Sequence, residues 1–294
     1  NLEYLKVCIN SIRKNSKFSH QIIVHINEGT DGTFDYIKNS NLEFTYSDQN
    51  IGMPRALNKA SKLSKKDYIL ISHDDFYYCP GWDIEFVNEI NIMKHNNFYL
   101  SGTMVGATNK IIYYDNALPS EFNAGNDIEN FNESRLLNNL DKIKTFDFQG
   151  TTKCPGLIHK KIWIKVGGWS EEFSPTGGDD SDFAMKLWQH DIRIFKGLGK
   201  SLVYHFGSVT TRKKKNNLFT YLGNKGNKIF LKKWKITINF FENFYLKSGL
   251  DKNKNIIFNK YDGELKVPQR KIRYCYELLK CKIQWLYLIL INYK

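Results

Sequence analysis

The sequence predicts an α/β fold with a mainly parallel sheet, and three observations lead there. Short apolar runs rich in β-branched residues alternate with stretches of helical apolar spacing. The segments between them are short and rich in Gly, Asn and Asp. Two polar loops fall at the carboxyl ends of predicted strands, which is where open α/β sheets gather their ligands.

Leu2, Leu5, Ile9 and Ile12 space an opening helix with no strand before it. Gln21 to Asn27 reads as a strand, and the Gly and Thr cluster from Glu28 to Thr33 as a loop. Thr30 or Asp31 is expected to cap the helix through Phe34 and Ile37. Leu42 to Ser47 reads as a second strand, and Asn50-Ile51-Gly52-Met53-Pro54 leads into a helix from Arg55 to Leu63. Asp67 to Ser72 is a third strand, followed by a turn with an aromatic, Pro and Gly run from Phe76 to Trp82. A helix (Ile84 to Lys94), a strand (Phe98 to Val105), an acidic and Asn-rich region (Asp115 to Asp141) with one helix, and a strand near Gly156 to His159 come next. Gly177-Gly178-Asp179-Asp180-Ser181-Asp182 opens a helix through Phe183, Leu187 and Trp188. Helices bearing Phe219, Leu222, Phe230 and Trp234 then lead to a basic and apolar tail from Arg270 to Lys294.

The 294 residues, 41% hydrophobic and 15% aromatic, suffice for a full core and argue against disorder. Lys and Arg total 43 against 30 acids, a formal charge of +13 that favours a polyanionic partner: nucleic acid, an anionic membrane surface or a phosphorylated substrate. The five cysteines (Cys8, Cys79, Cys154, Cys275, Cys281) form no CxxC pair, so neither a disulfide framework nor a zinc site is expected and a cytoplasmic setting fits. There is no signal-peptide pattern and no run of about 18 apolar residues, so the protein is expected to be soluble or peripheral on the inner face of a membrane. The tail reads either as a membrane-surface helix or as a terminal helix docked on the core or a partner.

His73-Asp74-Asp75 plants two carboxylates at the mouth of the third strand. Hard divalent cations are commonly held by one or two carboxylates plus substrate phosphates, so a nucleotide-linked substrate is the first expectation. The plainer alternative is that the two Asp residues end the strand.

Four ordered stretches resemble the family 2 glycosyltransferases of the GT-A fold: Asn27 to Thr33, Asn50 to Asn58, His73-Asp74-Asp75 with Pro80-Gly81-Trp82, and Gly177 to Asp182. A weaker likeness continues through Gly226 to Phe230 and Lys232-Lys233-Trp234. The resemblance implies a Rossmann-like mixed sheet flanked by helices over residues 1–210, with a basic, mostly helical extension over 211–294. It also implies that the domain is N-terminally incomplete, lacking a first strand. A chain natively this short would be expected to be poorly stable and weak in donor affinity, or an inactive homologue.

By the same resemblance, Asn27, Glu28, Asp31, Asn50, Gly52, Arg55, Asn58 and Asp74 are donor-binding candidates. Asp75 is the metal ligand in the family's DXD position, His205 completes the shell around Mn²⁺ or Mg²⁺, and His73 reaches the ribose or a water in the metal shell. Lys213 to Lys215 could stabilise the departing diphosphate, although a solvated run is the plainer reading. Asp179 and Asp180 are the catalytic candidates, with Asp180 as the base in an inverting displacement. Trp169 and Trp188 pack in the core or stack on sugar faces. The implied partners are a nucleotide-sugar donor and a glycan or lipid-linked acceptor, with no specific nucleic acid. The rival classes are a metal-dependent phosphoesterase or nuclease and a basic nucleic-acid-binding protein.

Overall fold

The computed structural model describes residues 1–106, 122–207, 217–249 and 259–291. The opening helix α1 (Leu2–Asn15) buries Leu5, Cys8, Ile9 and Ser11 and carries Arg13 and Lys14 in its last turn, where cations suit the helix dipole. Strand β1 (Ile23–Asn27), helix α2 (Thr33–Asn39), strand β2 (Glu43–Ser47) and helix α3 (Met53–Ser61) follow. Then come β3 (Tyr68–Ile71), β4 (Phe76–Tyr78), α4 (Trp82–Met93) and β5 (Phe98–Gly106). Two short helices, α5 (Glu133–Leu137) and α6 (Leu140–Ile143), precede β6 (Phe148–Gln149), β7 (Gly156–His159), α7 (Lys160–Val166), α8 (Asp179–Gln189) and β8 (Ile194–His205). The chain continues through α9 (Asn217–Trp234), α10 (Ile238–Phe241) and α11 (Ile272–Ile291).

The strands form two sheets. β1 and β2 make a separate parallel pair, with Ile26 and Asn27 opposite Tyr46 and Ser47. The main sheet runs β3-β7-β5-β8-β4, with β6 added to β8. Only β5 and β8 pair in parallel there, while β3/β7, β5/β7, β4/β8 and β6/β8 are antiparallel. The sheet is therefore mixed, as the family resemblance implies, and not mainly parallel as the strand-helix alternation suggests. Counting strand-helix alternation misled because β4 follows β3 through a tight turn and β7 inserts between β3 and β5, neither by a helical crossover.

Two strands escape the sequence pattern. β4 was expected to be a turn because Pro80 and Gly81 follow it, yet Phe76, Tyr77 and Tyr78 are all buried. β8, the longest strand, is interrupted by Gly197, Gly199 and Lys200, which hides its apolar run. Gly197 is required by packing, since a Cβ there would lie 2.0 Å from the Phe148 ring. Lys196 on the same strand is buried but paired, at 2.7 Å from Glu89 and 3.0 Å from Asp147, which meets the cost of taking its charge out of water.

One large hydrophobic cluster joins the main sheet, α4, α7 and α8 to Phe230, Phe240, Phe241, Leu265 and Tyr274 of the C-terminal part. The helices beyond residue 210 thus share the core of the sheet. A smaller cluster of Leu5, Ile9, Ile26 and Ile37 sits beneath the β1–β2 pair. Trp169 and Trp188 are buried in the large cluster, which excludes the sugar-stacking alternative for both. Arg212, the Lys213 to Lys215 run and the start of the acidic region at Asp115 lie outside the described residues.

Candidate active site

The carboxyl ends of β3 and β8 meet at one rim because of the sheet register. β4 returns antiparallel beside β8 with Phe76 directly opposite His205, so the turn joining β3 to β4 is carried against the end of β8. The Phe206 N–H donates to the Asp75 carbonyl at 3.1 Å, fixing that closure. As a result His73, Asp75 and His205 converge, each offering a ligand atom within 4.8 Å of the others. Asp75 is buried, and its carboxylate lies 3.3 Å from His205 Nε2.

His73 stacks on Phe76 with ring centroids 4.9 Å apart. Burial, opposed by the charge of Asp75, pushes its pKa down to about 4, so the imidazole is neutral and keeps a lone pair for a metal. His73 thus lies among the potential ligands, beside its expected reach to the ribose or to a water in the metal shell. Asp74 is exposed and accepts from the Asn1 amide at 3.3 Å.

A second group of charges lies on the same rim. Asp179 and Asp180 begin α8, and Lys153, from the loop before β7, meets Asp180 at 2.6 Å. Burial works to raise the pKa of Asp180, but the Lys153 ammonium and its hydrogen bond outweigh that and hold the carboxyl below its ordinary value. Asp179 is raised to about 7 by burial and by the adjacent charge of Asp180, even though it accepts bonds from Thr176 and Gly177. The ionised member of the pair near neutral pH is Asp180. Both Asp180 and Lys153 act electrostatically on His73, which ties this pair to the imidazole-carboxylate cluster.

The α8 turn is held from behind by the C-terminal helices. Gly226 of α9 crosses Gly177 so closely that a Cβ would lie 1.8 Å from its carbonyl oxygen. Ser181 donates to Glu242 at 3.0 Å, and Asp182 accepts from the Trp234 indole at 2.7 Å and pairs with Lys233 at 2.9 Å. The Lys-Trp element thus serves as an anchor for the turn that opens α8.

The other rim loop is mounted on the small sheet. Asn27 Oδ1 accepts from the Ile51 N–H at 3.0 Å and the Ser47 hydroxyl at 3.1 Å, latching the end of β1 to the end of β2 and the loop before α3. Glu28 is exposed in a left-handed backbone conformation, φ 64°. Gly32 takes the N-cap position of α2, and Asp31 helps by accepting from the Thr33 N–H at 3.2 Å. Asp31 also accepts from the Leu2 N–H at 3.2 Å, and the Asn1 side chain donates to Asp74 at 3.3 Å. The start of α1 therefore lies between the small-sheet loop and the main rim.

The remaining donor candidates have partners within the protein. Asn50 accepts from the Gly52 N–H at 2.9 Å. Gly52, at φ 79°, presses on Pro175, whose carbonyl accepts from the Met53 N–H at 2.9 Å. Arg55 lies 3.6 Å from Glu171 on the surface. Asn58 donates to the Trp169 carbonyl at 2.8 Å and to Glu171 at 3.2 Å, and accepts from the Trp169 N–H at 2.9 Å. That uses both amide hydrogens, and Asn58 ties α3 to the segment after α7. Sequence reasoning missed Lys153, since nothing in Thr151-Thr152-Lys153-Cys154 marks it, and only the fold sets it against Asp180.

The structure of GalNAc-T7 with UDP, GalNAc and Mn²⁺ superposes with a TM-score of 0.50 at 13% identity, covering 80% of this chain and 49% of that one. Structures of S. aureus TarS give 0.49 at 13% identity, covering 78% and 68%, and, with UDP-GlcNAc, 0.48 at 15% identity, covering 70% and 58%. The chain spans about half the length of GalNAc-T7. No curated protein sequence matches it. The fold is that of the GT-A glycosyltransferases. Residues 1–153, just over half of the chain, match Glycosyl transferase family 2, and the chain belongs to that family. Its function is glycosyl transfer.

Proposed function

We propose that the protein moves a sugar from a nucleoside-diphosphate donor to a hydroxyl of a glycan or lipid-linked glycan, with inversion and with a divalent metal. The observation that carries this reading is the convergence of His73, Asp75 and His205 on the rim that also holds Asp180. The UDP and Mn²⁺ in the GalNAc-T7 structure are consistent with it. One carboxylate and two imidazoles suit Mn²⁺ better than Mg²⁺, which favours an oxygen shell. The neutral state of His73 fits that donor set. Bound there, the ion would offset the charge developing on the departing diphosphate.

The remaining steps belong to the chain. Asp180 takes the proton from the acceptor hydroxyl as it attacks from the side opposite the leaving group. Lys153 keeps Asp180 ionised and, with the Ser181 N–H at 2.8 Å, fixes its orientation. Asp179, partly protonated near neutral pH, organises the turn through Thr176 and Gly177. Asn27, Glu28 and Asp31 face the base and ribose, with Asp74 beside them.

A panel of nucleotide sugars, assayed for nucleoside diphosphate release with Mn²⁺, tests the proposal. One donor is expected to turn over with the wild-type chain and to lose most of that rate in Asp75→Ala and Asp180→Asn. A genuine turnover that survives both substitutions would refute the assignment.

A further inference from the structure

We propose that the outward face of α11 is a membrane-binding surface that lies in the plane of an anionic lipid headgroup layer. It stands on the helix alone and does not depend on the reading of the catalytic rim. The inner face of α11 is already occupied. Tyr274 and Cys281 are buried, Leu278 packs against the core, and Tyr274 meets Phe240, Phe244 and the Tyr245 hydroxyl.

A second apolar stripe runs along the same helix: Ile272, Tyr276, Leu279, Ile283, Leu286 and Leu290, between 52% and 91% exposed. Its members are spaced three or four residues apart, so they share one face. They are offset by two residues from the buried set, a rotation of about 200°, and so point away from the core. A helix in a water-soluble protein ordinarily shows polar residues there.

Charge selects the occupant. Arg273 and Lys280 run along one edge of the stripe, with Lys282, and Lys271 just before the helix, along the other. Glu277 is the only acid in α11. The Lys280 ammonium lies over the Tyr276 ring at 4.2 Å from its centroid and pairs with Glu277 at 3.0 Å, so its charge stays beside the stripe while Lys271, Arg273 and Lys282 carry the unbalanced positive charge. An apolar stripe between two basic edges matches acyl chains beneath anionic headgroups. A second copy of the chain would set the same basic edges against each other across a two-fold axis. Among the described residues no helix is long and apolar enough to cross a membrane, so the fit is in-plane.

The test is cosedimentation of the full chain with phosphatidylcholine vesicles, with and without roughly one-third phosphatidylglycerol. Binding is expected to be at least about tenfold stronger to the anionic vesicles and to weaken as salt rises above about 0.1 M. Leu279→Ser, Ile283→Ser and Leu286→Ser combined should abolish binding while leaving the melting temperature near wild type, because these side chains are exposed. Replacing Lys271, Arg273, Lys280 and Lys282 with Gln should remove the preference for anionic lipid. The proposal is overturned if wild type stays in the supernatant, or if the triple variant binds as well as wild type. It is equally overturned if ultracentrifugation finds a dimer that the triple variant dissociates and no vesicle binding occurs, which would make the face a contact between copies.

Discussion

The two loops on the rim are built differently. The His73–Asp75 turn and His205 sit on adjoining strands of the main sheet, above Phe76, Tyr78 and Val203, all fully buried. The Asn27–Thr33 loop hangs from a two-stranded sheet over a small cluster, with Glu28, Thr30 and Asp31 exposed. The first region can hold charged groups at fixed distances because the ladder and the core leave them no alternative arrangement. The second is latched by side chains such as Asn27 and Asp31, which suits contacts that select a ligand. On the proposed function, chemistry falls to the large sheet and donor selection to the small one.

That division can be broken or sharpened by substitution. The largest effect is expected from Asp75→Ala, a fall in kcat of about 10³-fold with loss of Mn²⁺ binding measured by calorimetry. A full rate with unchanged metal affinity would move the metal elsewhere. Asn58→Ala should act on stability, lowering it by about 2 kcal/mol in urea unfolding because the Trp169 backbone groups lose their partners. Its donor KM should stay near wild type, whereas a donor-contacting Asn58 would raise it.

Asn27→Ala removes the latch of the small sheet and is expected to raise the donor KM about tenfold while kcat changes little. A kcat loss at constant KM would mean that both sheets serve the chemical step. Lys153→Met gives the smallest effect and a pH signature. Lys153 lowers the pKa of Asp180, and a protonated base is inactive, so activity rises with pH through that value. Removing the ammonium raises the pKa, and the acid limb of the rate profile should move to higher pH. A limb that stays in place would show that Asp180 is not the base.

Much of this organisation is legible in the residues. The apolar spacing of Leu5 and Ile9, the β-branched run at Ile22 to Ile26 and the Gly52-Met53-Pro54 helix start gave elements within a residue or two of their positions. They were legible because each is set by local periodicity and turn chemistry. β4 and β8 were not, since their strand state comes from burial against neighbours that local pattern does not reveal. The ordered loops pointed to the family, which the match over residues 1–153 bears out. The Asn58 contacts to Trp169 were not legible, because an Asn on a helix reads the same whether it faces a ligand or a backbone.

By itself the sequence determined the α/β class, the family, and a carboxylate turn at the end of a strand. Tertiary structure decided which side chains meet there. The register of β4 on β8 brings His205 to Asp75, and the loop before β7 brings Lys153 to Asp180. It also turned Asn58 inward onto Trp169 and left the second apolar stripe of α11 uncovered. The physical reason is that hydrogen bonds and ion pairs reach only a few ångströms, and pairs this far apart in the chain reach that range only through strand pairing and packing.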